Sequence, residues 1–164
     1  MKTEEALQFL MAHQPLLSED ANDQNISRFD DVRKFFSVNL DERCVPLLIG
    51  FLGPGDGHGT YVMVEDTLRL YPSEYVGEAL RAGLKSPEPS VRYWSAQFSA
   101  SYPTACIEDE LIAAFLNGDA DTQIAVVTAI EVIPSHEAKK MLLEVRDKSK
   151  NEDVLNLIDE VVGA

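Results

Sequence analysis

Basic residues are scarce in this chain. Its 164 residues hold 14 Lys and Arg against 28 Asp and Glu, a formal net charge of −14. From position 106 to position 136 there is no Lys or Arg at all. Phosphate backbones and anionic membrane surfaces are gripped by clustered cations, so this balance argues against both as partners. No apolar run approaches the roughly 20 residues needed to span a bilayer. The opening Met1-Lys2-Thr3-Glu4-Glu5 has no apolar stretch of the signal-peptide kind, so a cytoplasmic location is expected. Cysteine is limited to Cys44 and Cys106, tryptophan to Trp94, and histidine to His13, His58 and His136.

What the chain does have is a period. Pro72, Pro103 and Pro134 stand 31 residues apart and close similar stretches, Leu70-Tyr71-Pro72, Ser101-Tyr102-Pro103 and Ile133-Pro134. A fixed interval of this size is the mark of a repeat architecture. The units are 44–74, 75–105, 106–136 and a shorter 137–164. Each holds two patterns with apolar residues at helical spacing, such as Val76, Ala79, Leu80, Leu84 and Ile107, Leu111, Ala114, Phe115. The first helices are expected at 45–52, 75–84, 107–116 and 138–145, the second at 61–70, 90–102, 122–133 and 153–162. Ser90 and Asp121 suit the N-caps of two second helices. The connecting turns are rich in Gly, Pro, Asn and Asp, and the recurring Pro forbids each second helix from continuing.

Residues 1–43 fall outside the period. A helix is expected over 3–17, a polar loop over 18–25 and a second helix over 26–38, together capping an otherwise open apolar end. Cys44 and Cys106 lie two periods apart, on the order of 20 Å if layers stack about 10 Å from one another. That exceeds the ~7 Å between Cα atoms that a disulfide allows, so two reduced thiols are expected.

The paired helices, the turn Pro89-Ser90-Val91-Arg92 leading to the small residues Ser95-Ala96, and the Pro closing each unit resemble HEAT-like repeats. The match is best in the second unit; the third has Gln123 and the first Tyr61 where the second has Arg92. The resemblance implies an all-α fold, a HEAT-like α-solenoid of antiparallel helix pairs with an N-terminal helical cap, continuous from 44 to 164 as one domain. It also implies that the second-helix face serves as the binding surface.

Little in the chain points to catalysis. The loop 53–59 has four glycines but lacks the Lys-Ser/Thr ending and preceding strand of a phosphate-binding loop, and reads as an adaptable connection. Asp56 and His58 are too few to hold a metal. The three histidines make no nucleophile–base arrangement, and no carboxylate pair is defined. No enzyme activity, cofactor or metal is expected.

Charge placement says more. The third unit carries six acids, Glu108, Asp109, Glu110, Asp119, Asp121 and Glu131, and no base. Several suit helix N-termini, where they favour the macrodipole. In the 31-residue register Tyr93 aligns with Val62 and Ile124 as the expected core column. Trp94 then stands off the core axis, half-exposed, as a candidate anchor for a partner. The next column, Asp66, Gln97 and Thr128, forms a polar strip with Glu65 and Arg69. The expected partner-binding residues are therefore Glu65, Asp66, Arg69, Trp94, Gln97, Asp119, Asp121, Thr128 and Glu131.

A small acidic protein of this fold resembles bacterial immunity proteins, which bind a cognate toxin, often a basic nuclease, and block it. The expected partner is a basic protein. Two other readings stay open at this level: a scaffold or assembly factor, and a HEAT-like DNA glycosylase, from which this chain departs in charge. One consequence is directly measurable. Thiol titration of the unfolded, unreduced monomer should count two free groups; a count of zero would contradict the spacing of Cys44 and Cys106.

Overall fold

The computed structural model describes residues 1–16, 22–103 and 107–163. Among them there are ten α-helices, one 3₁₀ turn and no strand. They are α1 (Thr3–Ala12), α2 (Asp23–Val38), α3 (Cys44–Phe51), α4 (Val62–Leu68), α5 (Ser73–Leu84), α6 (Pro89–Ser99), α7 (Glu108–Asn117), α8 (Ala120–Val132), α9 (His136–Val145), the 3₁₀ turn Arg146–Lys148 and α10 (Glu152–Gly163). The chain divides into two compact units, Met1–Ala79 and Leu80–Ala164. The N-terminal segment 1–43 and the first repeat share one unit.

The helical pairs fall where the periodicity puts them, and burial follows the 31-residue register. Val45, Val76, Ile107 and Ala138 are all buried, as are Ile49, Leu80, Leu111 and Leu142 on the first helices. On the second helices, Val64, Ser95 and Val126 are buried, as are Leu68, Ser99, Ile130 and Val161. Tyr71, Tyr102 and Ile133, each just before or next to the recurring Pro, are buried too. The core column expected at Val62, Tyr93 and Ile124 is corrected: Val62 is exposed and the other two are only partly buried. The column buried in all three units is instead Val64, Ser95 and Val126, two residues further along.

Helix ends are shifted by local chemistry. α1 stops at Ala12, not at residue 17, because Pro15 follows and disfavours helical backbone before it. The chain then turns so that the Leu16 amide donates to the Phe51 carbonyl at 2.9 Å. α2 starts at Asp23, three residues before the expected start, with the Asn22 side chain accepting from the Asn25 amide. Of the expected polar loop 18–25, residues 18–21 lie outside the described residues, as do Leu17 and Cys106. The caps expected at Ser90 and Asp121 are replaced. Pro89 opens α6, where its missing N–H costs nothing, and Asp119 caps α8 through the Thr122 amide at 2.9 Å.

In the unit Met1–Ala79, α1 packs with α3, and α2 with α4. Phe29 stacks on Phe51 with ring centres 4.1 Å apart and meets Tyr61 edge-on at 6.0 Å. A buried arginine crosses the α2–α4 seam. Arg33 donates to Asp30 at 2.6 and 3.0 Å and to the Thr67 hydroxyl at 3.3 Å. Burial pushes the Asp30 carboxyl up, but hydrogen bonds from Lys34 and Arg33 outweigh it and hold it below the usual range.

The 53–59 loop is a close-fitting turn. Gly57, His58 and Gly59 are left-handed in succession, with φ of 56°, 55° and 81°. The Asp56 carboxylate accepts from the His58 amide at 3.0 Å. A Cβ at Gly57 would sit 2.5 Å from the Tyr61 ring, and one at Gly53 would sit 1.7 Å from the Leu16 carbonyl oxygen.

In the unit Leu80–Ala164 a single core joins α7, α8, α9 and α10 with parts of α5 and α6. Ile130 lies in it, fully buried beside Val126 and Ile112. Ile130→Ala should cost about 2–5 kcal/mol of unfolding free energy, read by denaturant titration. A change below about 0.5 kcal/mol would place the side chain at the surface instead.

Candidate protein-binding surface

Nine residues were singled out by sequence, and the structure treats them differently. Three lie on or next to α4. Asp66 is exposed, and Glu65 is bonded one turn along to Arg69, Nη2 to Oε1 at 2.7 Å. An exposed pair of this type contributes only a few tenths of a kcal/mol, about 0.3–0.5, so its effect is local charge cancellation, not stability.

Trp94 is corrected. It is only 6% exposed, packed against Tyr93 at 5.2 Å and Phe98 at 5.7 Å between ring centres. It belongs to the buried face of α6 with Val91, Ser95 and Phe98. The misplacement follows from the wrong choice of core column: Trp94 and Ala125 are buried, although Met63 at the same register position is exposed. A side chain buried there cannot anchor a partner without unfolding its own helix.

Two members of the polar column lie in the unit Leu80–Ala164. Gln97 and Thr128 are half-buried, one on α6 and the other on α8, and these helices pack against each other. Gln97 donates to the Tyr93 hydroxyl at 2.9 Å, and Thr128 donates to the Ile124 carbonyl at 3.0 Å. Each is thus satisfied within its own helix. Asp121, Ile124, Thr128 and Glu131 recur at helical spacing along one stripe of α8. Asp121 and Glu131 are exposed and about 15 Å apart along the axis, at 1.5 Å per residue. That separation is far too wide for two carboxylates to share an acid–base task, for which about 5–9.5 Å is required.

The acids between 106 and 136 are not equivalent. Glu110 receives Lys85 at 2.8 Å and lies 3.7 Å from the Arg81 guanidinium. Burial pushes its carboxyl up, yet the Lys85 hydrogen bond and charge prevail and lower it. Asp119 is committed to capping α8, and its carboxyl is lowered chiefly by the Thr122 amide. Asp109, Asp121 and Glu131 remain exposed. Among the described residues no group of three or more His, Cys, Asp or Glu is placed to hold a metal ion.

A further pattern was hidden in the sequence. The position occupied by Tyr61, Arg92 and Gln123 contacts the preceding helix end or the turn after it in the first three repeats. Tyr61 covers Gly57, Arg92 donates to the carbonyls of Ser86 and Pro87 at 2.8 and 2.9 Å, and Gln123 donates to the Phe115 carbonyl at 3.2 Å. Three side chains of different chemistry at one register position reach nearby but different residues, so their relation could be read only from the alignment register. Exposed apolar residues at Val38, Leu40, Leu70 and Tyr75 were also missed, because they sit at or beyond helix ends where periodicity gives no signal.

No protein-family model, curated protein or solved structure matches this chain.

Asp119 separates structural from electrostatic roles. Asp119→Ala should cost about 1 kcal/mol in stability, whereas Asp119→Asn keeps an acceptor and should cost little. Because the folded carboxyl lies below its ordinary value of 3.8, its contribution is present above that value. It disappears as the pH falls through the lower, folded value. Because Asp119→Asn cannot titrate, the stability difference between it and the wild type should be constant at neutral pH and change only as the pH falls below 3.8; a difference that stays constant through that range would refute the charged cap.

Proposed function

We propose that the chain is a HEAT-like α-solenoid that works as a non-catalytic protein-binding module. Burial that repeats at 31 residues across both helices of each unit supports the solenoid. The partner is a basic protein, and the reading that best fits a small acidic binder of this type is an immunity protein acting in the cytoplasm. It would neutralise a basic toxin domain, such as a nuclease, by covering it. The toxin step rests on resemblance in fold and charge.

The observation that carries the binding reading is the stretch 106–136, six acids and no base, with Asp109, Asp121 and Glu131 left exposed. Unbalanced exposed charge of one sign raises the encounter rate with an oppositely charged partner. It adds less to the lifetime of the complex, which depends on desolvated contacts. Gln97 and Thr128 contribute the polar part of the surface in the unit Leu80–Ala164, and Glu65, Asp66 and Arg69 are a separate polar set in the unit Met1–Ala79. Trp94 contributes by holding α6 in place.

The test is kinetic. The partner is identified by pull-down from the native cell, purified, and its association followed at low and high salt. Association should slow as salt rises, since the Debye length shrinks from about 10 Å at 0.1 M to about 3 Å at 1 M. Asp121→Lys combined with Glu131→Lys should slow association further while leaving the dissociation rate and the melting temperature nearly unchanged. An acidic partner, or association indifferent to both salt and these substitutions, would reject the reading.

A further inference from the structure

One end of the unit Met1–Ala79 carries large apolar side chains in solvent. Val38 is 79% exposed, Leu40 61%, Leu70 49% and Tyr75 42%. They come from three places in the chain: the end of α2 and the stretch after it, the end of α4, and the first turn of α5. Tyr71 ties these segments together. Its hydroxyl donates to the Phe36 carbonyl at 2.9 Å, accepts from the Cys44 thiol at 3.2 Å, and lies 3.5 Å from the Asp41 amide. The Tyr75 and Glu42 side chains share a hydrogen bond, which holds the start of α5 to the same place. Single exposed apolar residues are ordinary, but several on segments tied to one another by hydrogen bonds point to an interaction site.

The charge around them selects the occupant. Glu42, Glu74 and Glu78 surround Tyr75, and their charges, Glu42 first, push its phenol above the usual range. The cations nearby are engaged: Arg43 holds Asp41 at 2.7 Å and Glu4 at 2.9 Å, and Arg69 holds Glu65 at 2.7 Å. A second copy of this chain would set Glu42, Glu74 and Glu78 against like charges. We infer that this end of the unit is a docking patch for a protein segment that presents an apolar side chain flanked by Lys or Arg. The inference rests on the proposed binding of a basic protein and deepens it by assigning part of the contact. The apolar side chain is desolvated by Leu40, Leu70 and Val38. A flanking cation meets the Glu42 and Glu74 carboxylates and can lie over the face of Tyr75.

The test uses the full chain and three short synthetic peptides. One alternates Leu with Lys, the second replaces each Lys by Glu, and the third replaces each Leu by Ser. Binding is followed by amide chemical shifts and by titration at low and high salt. The Leu/Lys peptide should bind, shift the amides of Val38, Leu40, Leu70 and Tyr75, and weaken with salt; the other two should not bind there. Leu40→Ser with Leu70→Ser should weaken it about tenfold or more. These side chains are exposed, so the helical circular dichroism and melting curve should hold. Asp121→Lys with Glu131→Lys should leave the shifts at the patch in place.

If the Leu/Lys peptide shifts other residues only, or the double Ser variant binds it undiminished, the patch is overturned and the basic-partner reading stands. Failure of every peptide to bind also overturns the patch. Preference for the Leu/Glu peptide overturns both. A concentration-dependent dimer of the chain that Leu40→Ser dissolves would make a second copy the occupant and overturn the inference.

Discussion

The fold depends on a stripe of buried side chains that returns at a fixed interval. Each helix pair must hide its apolar face, and no pair of seven- to thirteen-residue helices can do so alone. The solution is repeated: Ile49, Leu80, Leu111 and Leu142 fill the same position in successive pairs, and Leu68, Ser99, Ile130 and Val161 fill another. The replacement of a large residue by Ser99 in the second column is compensated locally, its hydroxyl donating to the Ser95 carbonyl at 2.7 Å. Position, not residue type, is what is kept.

The turns obey the same logic. Tyr61, Arg92 and Gln123 share one register position and reach back by three different means, Tyr61 and Arg92 to the turn and Gln123 to the last turn of α7. The fitted 53–59 loop goes furthest, since Gly53 and Gly57 leave no room for a side chain against Leu16 and Tyr61. A helix pair whose turn is fixed in this way presents its outer face reproducibly. That is what a binding surface requires, because preorganised groups lose less entropy on association.

Electrostatics then divides the surface by task. Some acids are consumed in building the molecule: Asp119 caps α8, Asp30 holds buried Arg33, and Glu110 takes Lys85. The acids left exposed, among them Asp121 and Glu131, are free to act at a distance. Net charge alone does not distinguish the two groups. Their separation follows from where each helix starts, because a carboxylate at an N-terminus is held by backbone amides and one on an open face is not.

Much of the helix order was legible in the sequence. The 31-residue proline interval and the 3.6-residue apolar pattern are local properties of the chain, and they located the eight repeat helices to within a few residues. Periodicity also called for burial at Val126 and Ile130. It erred where a decision depended on a neighbour. A column shift of one residue turns a side chain by about 100°, so sequence alone could not say whether Tyr93 or Trp94 faced inward. The packing of α6 decided for Trp94, and removed it from the candidate surface. The end of α1 was set by Pro15 and by the Leu16–Phe51 hydrogen bond, the second of which joins residues far apart in the chain. Likewise the segments that carry Val38, Leu40, Leu70 and Tyr75 are tied by the bonds of Tyr71 to Phe36 and of Tyr75 to Glu42, between residues far apart in the chain. Sequence determined the period, the helices and the excess of negative charge, each of which is a sum over local residues. Tertiary structure decided which acids stay exposed and which apolar side chains meet, because both depend on contacts between distant segments.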